Sequence, residues 1–389
     1  MYIKKSVLIT CSILLILVTA VVAVGAVNPF GFTHFGELIK FGYVSRLIDE
    51  NYYEDVDSKT YMNTALQGMA AATGDAYTGY LWGDYAQEYM EDMTGNYVGV
   101  GLYIENHLED DTVTIVSAIP GTPAEEAGLA TDDKILKIDG VNYTGMQLNE
   151  ASAAMKGIAG TQVVLTVQKA DTGEIKELTL IRRQVDVQYV TAGMLTGNVG
   201  KIQITQFTEK VSQQFAAALQ DLKTQGMTAL VLDLRNNPGG IVDEAVAIAD
   251  QFIDQKTTIV YTQDKYGHKT NYDASGKGTK FPMVILTNGG SASASEILAG
   301  ALKDLDLATL VGEKTYGKGI VQSVYDIEGD ILSVTSAKYY LPNGECIHQQ
   351  GIEPNITLPM EAEKYARLST LPMDQDIQVQ KALEILTKS

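Results

Sequence analysis

The chain has 389 residues, 45% of them hydrophobic, and a formal net charge of −19. That apolar fraction supplies a sizeable core and excludes global disorder, and the length fits two or three domains. The acidic balance leaves no basic stripe to neutralise phosphates, which argues against a nucleic-acid partner.

The N-terminus carries a localisation signal. Lys4 and Lys5 precede an uncharged run of 22 residues, Ser6 to Val27. As a helix rising ~1.5 Å per residue, that run matches a hydrocarbon core of about 30 Å. Positive charge ahead of it places the N-terminus inside and the body outside. Two readings fit residues 1–27: an uncleaved single-pass anchor in the cell membrane, or a signal segment cleaved near Val24-Gly25-Ala26. The length of the run favours the anchor, and both readings export the body. Cys11 lies within the run, so Cys346 is the single thiol of the exported part and no intramolecular disulfide forms there. Cys346-x-His348 is half a metal-site pattern without a second pair, and reads as a polar turn.

Residues 28–93 read as an N-terminal helical region. Leu38, Ile39, Val44, Leu47 and Ile48 recur at helical spacing, and a second stretch from Ser58 to Ala72 carries Tyr61, Ala65, Leu66 and Met69 on one side. Such helices form a stalk, a dimer surface or a cover for the next domain, and a homodimer through the N-terminal and C-terminal helices is one expectation. Residues 94–182 change to Gly-punctuated strands with two short helices. Gly99-Val100-Gly101-Leu102, Pro120-Gly121-Thr122-Pro123-Ala124, Ala127-Gly128-Leu129 and the run from Asp132 to Gly140 together resemble a bacterial-type PDZ domain. Such a domain captures a peptide C-terminus by strand addition, its carboxylate held by backbone N–H groups. Gly99, Val100 and Gly101 would form the turn that lets those groups converge. Leu102 and Ile104 would line an apolar pocket with Ala151 and Met155 from the flanking helix. The competing reading makes these four ordinary core residues.

Residues 183–358 alternate strands and helices. Lys201 to Thr205, the continuous apolar run Leu230 to Leu234, and Met283 to Leu286 read as buried strands, with helices over 209–225, 242–254 and 294–302. This β-α-β progression predicts an α/β core within an α/β and α+β multidomain chain. The segment 359–389 closes with an amphipathic helix from Asp374 to Leu386.

The chemistry concentrates between Thr287 and Gln322. Ser293 stands where an apolar strand gives way to a helix, Lys318 follows 25 positions later between Gly317 and Gly319, and Gln322 lies four beyond. Helix N-termini present unpaired N–H groups, so an oxyanion formed at Ser293 finds the Ala294 N–H nearby. A second strand-turn-helix element, Asn236-Asn237-Pro238-Gly239-Gly240, offers the Gly239 N–H as a second donor. The four histidines lack a convincing orienting carboxylate, which points to lysine as the base. A lysine serves at neutral pH only if burial disfavours its charged form. Gln322 would then aim the amine without recharging it.

The segments NNPGG, GSASASEI, GEKTYGKGIVQ and GIEPN resemble those of the carboxyl-terminal processing peptidases, also called tail-specific proteases, from about Leu38 to the C-terminal helix. The resemblance implies a PDZ domain inserted ahead of a crotonase-like α/β protease core, and no metal or organic cofactor. It assigns Ser293 as nucleophile, Lys318 as general base, Gln322 as its orienting partner, and Gly239 and Ala294 as the oxyanion hole, with Ser291 and Ser295 as decoys. It implies a protein or peptide substrate with an apolar C-terminus. Two departures stand out. Asp75-Ala76-Tyr77-Thr78 replaces a DPYS-like stretch, and Glu345-Cys346-Ile347-His348 replaces a small-polar run. Both are expected to leave the catalytic positions untouched. Two other functions compete: a non-catalytic PDZ-containing scaffold, and a penicillin-binding-type acyl transferase, the latter disfavoured by the absence of S-x-x-K at a helix start.

Overall fold

The computed structural model describes residues 35–388 apart from 108, 109, 367, 369 and 370. The expected anchor at residues 6–27 lies outside the described residues, and among those described no helix is long and apolar enough to cross a membrane. The chain divides between Gly74 and Asp75 into two compact units.

The first unit contains α1 (Phe35–Asn51) and α2 (Ser58–Ala71). Asp57 caps α2 by accepting from the N–H groups of Lys59 and Thr60. The Ser45 hydroxyl lies 2.6 Å from that of Tyr61, tying the two helices.

The second unit opens with β1 (Gly79–Leu81) and α3 (Asp84–Thr94), which Gly95 ends in the left-handed conformation. Next come β2 (Asn96–Gly99), β3 (Leu102–His107), β4 (Thr112–Ala118), α4 (Pro123–Glu126), β5 (Lys134–Ile138), β6 (Val141–Asn142), α5 (Leu148–Met155), β7 (Gln162–Gln168) and β8 (Ile175–Ile181). They form an antiparallel sheet in the order β3-β4-β5-β7-β8, with β6 beside β5. Alternate residues turn inward, so Val163, Leu165 and Val167 of β7 are all fully buried. The sheet's core takes in Val100, Ala151 and Met155, with Leu102 and Ile104 partly buried against it. Of the four expected pocket residues, Ala151 and Met155 are therefore in the core, as is Val100 of the expected turn. Leu102 and Ile104 stand on the edge strand β3, which α5 flanks.

A short strand, β9 (Arg183–Asp186), returns to pair with β2. The remaining elements are β10 (Val190–Met194), β11 (Val199–Ile204), α6 (Val211–Thr224), β12 (Ala229–Asp233), α7 (Val242–Asp250), β13 (Thr258–Asp264), β14 (Lys269–Asp273), β15 (Met283–Thr287), α8 (Ala294–Asp304), β16 (Thr309–Gly312), β17 (Ile320–Ile327), β18 (Asp330–Tyr340), β19 (Ile356–Thr357), α9 (Ala362–Ala366) and α10 (Ile377–Lys388). One sheet runs β10-β11-β12-β15-β16-β19, with every pairing after β10-β11 parallel. β12 and β15 are buried at every position because both faces are covered. Leu230, Leu232 and Ile285 pack with Phe215 of α6, Ile248 of α7 and Ile297 of α8. Val231, Val284 and Leu286 pack on the opposite side with Val379 and Ala382 of α10, which places the expected closing helix.

A second sheet runs β1-β18-β13-β14, with β17 also on β18. Its β1 precedes the PDZ strands in sequence yet pairs with β18. In the chain, strands β3–β8 therefore sit between β1 and the rest of the unit that holds it. Phe215 and Phe252 meet edge to face at 5.9 Å in its largest core. Phe215→Ala is expected to cost about 3–5 kcal/mol by leaving a cavity there, read as a lower urea midpoint at an unchanged slope.

Candidate active site

Two strand-turn-helix elements meet at the C-terminal ends of β12 and β15. The first turn is anchored from below by Arg235, a guanidinium with no exposed surface. Arg235 donates to both carboxylate oxygens of Asp233 at 2.8 and 2.6 Å and to those of Asp376 at 3.1 and 2.9 Å. Its fifth side-chain bond goes to Gln378 Oε1 at 3.0 Å. Lys201 adds a second cation 3.0 Å from Asp233. Burial pushes the Asp233 carboxyl upward, but Arg235 and Lys201 outweigh it and hold the group below the usual carboxylate range. A charge cluster this dry survives because every member is paired.

The turn that follows depends on glycine. Gly239 has φ 99°, and a Cβ there would stand 2.6 Å from Ala292 O, 2.7 Å from Ser293 Cβ and 2.9 Å from Ala294 N. The missing side chain lets the two turns touch. Asn237 stitches them together: its carbonyl accepts from Ala292 N and from Ser295 Oγ. Its side chain donates to Ile204 O and accepts from the Gly239 N–H at 2.9 Å. Of the two expected oxyanion donors, Gly239 thus gives its hydrogen to Asn237 in this geometry. Ala294 is the first residue of α8, where an N–H has no intrahelical acceptor.

Ser293 caps α8 at φ 53° and ψ −114°, a backbone state that L-residues avoid and that functional turns retain. The Ser291 hydroxyl donates to Leu234 O and that of Ser295 to Asn237 O, both fully buried. Ser293 keeps 8% of its surface exposed. This separates it from its two neighbours, which serve the turn.

Glu296 joins Ser293 to Lys318. Fully buried, it accepts from four donors: Ser293 N at 2.9 Å, Lys318 N at 2.9 Å, Gly317 N at 2.8 Å and Thr315 Oγ1 at 2.5 Å. On the opposite side the Tyr339 hydroxyl donates to Ser293 O at 3.2 Å and to Lys318 O. Burial and the Glu296 charge push that hydroxyl well above 10, so it stays a donor. One acceptor and one donor therefore clamp the backbones of Ser293 and Lys318 from both sides. Neither residue was singled out from sequence. Glu296 had a signal, since Ser293-x-x-Glu296 is a capping-box spacing ahead of an apolar helix. Tyr339 had none.

The Lys318 side chain is half-buried, with Nζ 4.7 Å from the centre of the Tyr77 ring. Burial lowers its pKa from 10.5, and the charges of Asp75 and Glu296 oppose that shift. The Gln322 amide donates to Thr335 Oγ1 at 3.3 Å. Thr335 in turn donates its N–H to Thr78 Oγ1 and is bonded to the Asp75 carboxylate. The first departure from the family pattern, expected to leave these positions untouched, therefore lies against Lys318, and the second lies against its neighbour Gly319. Tyr77 faces Lys318. Cys346 Sγ is 3.9 Å from Gly319 O, and a Cβ on Gly319 would stand 2.4 Å from His348 N. The distance along the chain hid both contacts.

The histidines need one correction. His107 and His268 do have carboxylate partners, Asp110 at 2.8 Å and Asp264 at 2.9 Å, each pair exposed at the surface. His34 lies outside the described residues. Among the described residues no group of three or more His, Cys, Asp or Glu is placed to hold a metal, Cys346 and His348 included.

Two family models match the chain, Peptidase family S41 over residues 198–358 and a PDZ domain over 114–169. A peptidase domain carrying a PDZ module defines the class. The carboxy-terminal processing protease CtpA of Bacillus subtilis is 36% identical over 332 residues, covering 84% of this chain and 70% of the relative. A carboxyl-terminal-processing protease of Synechocystis is 39% identical, covering 83% and 76%. The photosystem II D1 C-terminal processing protease superposes with a TM-score of 0.51 at 28% identity, covering 90% of this chain and 98% of that one. The chain belongs to the carboxy-terminal processing proteases, serine-type peptidases of family S41, and the scaffold and acyl-transferase readings fall away.

Glu296→Gln would turn an amide NH2 toward backbone N–H donors. It is expected to lower kcat about 100-fold by loosening the Ser293–Lys318 geometry, read from steady-state kinetics on a protein that keeps its far-UV spectrum.

Proposed function

We propose that this chain is an exported endopeptidase that works through Ser293 and Lys318. The observation that carries the reading is the clamp: Glu296 and Tyr339 each bind the backbones of both residues, in a pocket that discourages charge on the lysine. A neutral Lys318 amine takes the Ser293 proton as the hydroxyl attacks the scissile carbonyl. It then returns that proton to the leaving amine, leaving an acyl-enzyme that water hydrolyses. Gln322, held by Thr335, orients the amine and brings no charge of its own. The Ala294 N–H and the Gly239 N–H stabilise the oxyanion, with Gly239 exchanging its Asn237 partner for the substrate oxygen.

The catalytic unit is read as a crotonase-like core on the strength of its parallel sheet backed by α6, α7 and α8. The PDZ domain takes an apolar C-terminal tail along the edge of β3, with Leu102 and Ile104 as its contacts and the Gly99–Gly101 turn receiving the carboxylate. Gly101 supports that turn: at φ 84° a Cβ would stand 2.4 Å from the Thr122 side chain. Membrane attachment rests on the uncharged run Ser6–Val27 behind Lys4 and Lys5. Pairing of two copies rests on the apolar residues Leu38, Val44, Leu47 and Ile48, which α1 leaves exposed.

Ser293→Ala and Lys318→Ala are each expected to abolish cleavage of an unfolded protein substrate while thermal unfolding stays within a few degrees of wild type. Cleavage at the wild-type rate by either variant sinks the assignment. The pH profile carries an independent sign. The active form of Lys318 is the neutral one, so kcat/KM rises with pH. Because burial depresses its pKa, the plateau is reached below the 10.5 of a free lysine. Lys318→Ala is expected to remove that rise, and a profile limited only by an acidic group contradicts it.

A further inference from the structure

Beyond the catalytic residues, β17 carries an unpaired backbone edge that begins one residue after Gly319. Among the described residues β17 pairs with β18 and no other strand. Its phase follows from the turn at its end. Glu328 and Gly329 both have positive φ, 55° and 94°, a two-residue primed turn closing β17 onto β18. Ile327 and Asp330 are then a hydrogen-bonded pair, as are Tyr325 with Leu332 and Ser323 with Val334. Asp326, Val324 and Gln322 fall at the intervening positions, so their N–H and C=O groups point away from β18. Strand β18 supports this phase: Thr335, opposite Gln322, sends its N–H to Thr78 on the far side.

The result is a row of outward donors and acceptors at Gln322, Val324 and Asp326, spaced about 6.8 Å apart as alternate strand residues are. The strand has no proline or lysine to block it, and exposes Val324, Tyr325 and Ile327 by 38%, 51% and 44%. An open edge of this kind, apolar at Val324 and polar at Gln322 and Asp326, is a template for another extended chain.

We infer that β17 binds the substrate polypeptide by strand addition, seating an extended and largely apolar segment beside the scissile bond. The inference rests on the peptidase reading and adds to it where the chain lies and how it is held. The occupant is substrate because the edge is continuous with the proposed machinery: Lys318 precedes the strand by two residues and Gln322 is one of its outward positions. Recognition through backbone groups reads extended shape rather than sequence, as a peptidase acting on unfolded tails requires.

The test uses wild-type enzyme and a synthetic peptide with an apolar C-terminus whose cleavage point has been mapped by mass spectrometry. Single N-methylations are walked along the peptide, each removing one N–H donor. The expected result has period two: kcat/KM falls about tenfold or more at alternate positions and little between them. A flat scan overturns the inference. Val324→Pro removes one outward N–H while sparing the β18 ladder, and is expected to lower kcat/KM on the parent peptide about tenfold. Unchanged kcat/KM in this variant also overturns it. If the variant unfolds, the scan decides on the residues flanking the mapped scissile bond, since a tail seated on β3 places its alternation at the peptide's C-terminus instead, and alternation confined to that end overturns the inference. An edge used by a second copy instead gives a flat scan and a change of sedimentation in Val324→Pro. Failure of the peptidase reading is separate and visible beforehand, as parent peptide cut no faster by wild type than by Ser293→Ala.

Discussion

A single buried carboxylate organises the candidate active site. Glu296 has no exposed surface and four donors within 2.9 Å, so the cost of desolvating its charge is offset only if all four stay in place. Two of those donors are the backbone N–H groups of Ser293 and Lys318, residues that arrive on different loops. The same bonds hold Ser293 at a positive φ it would otherwise leave. Tyr339 closes the arrangement from the carbonyl side, and burial keeps it protonated. Glu296 thus fixes the backbones of the serine and the lysine together, while burial alone lowers the lysine's pKa against the Glu296 charge.

The charge cluster around Arg235 repeats this logic one layer down. Arg235 bridges Asp233, at the end of β12, to Asp376 and Gln378, at the start of α10. The C-terminal helix is thereby tied to the strand that carries the Asn236–Gly240 turn. Hydrophobic packing of Val379 and Ala382 beneath β12 and β15 would hold that helix loosely in register, whereas the bidentate guanidinium pairs fix its position. The Asn236–Gly240 turn therefore stands on a base built from residues some 140 positions apart.

The fold was largely legible from local pattern. Apolar runs that became β12 and β15, and the helix faces of α6, α7 and α8, are periodic signals a short window captures. The PDZ domain was visible too, but the place of β1 was not. β1 is three residues long and gains meaning only by pairing with β18, some 250 positions away. The pocket residues divided for a related reason: Ala151 and Met155 look like any apolar lining until a core closes over them. Asp75, Tyr77, Cys346 and His348 looked remote because separation along a chain carries no information about contacts across sheets.

Sequence alone determined the family, the serine and lysine expected to react, and the two glycine-dependent turns. Each of these is written in residue type and short spacing. Only the tertiary structure decided what surrounds them. The Glu296–Tyr339 clamp, the Tyr77 ring against Lys318 and the open edge of β17 are contacts between distant segments. Their existence depends on how sheets pair and cores close, and no local pattern encodes that.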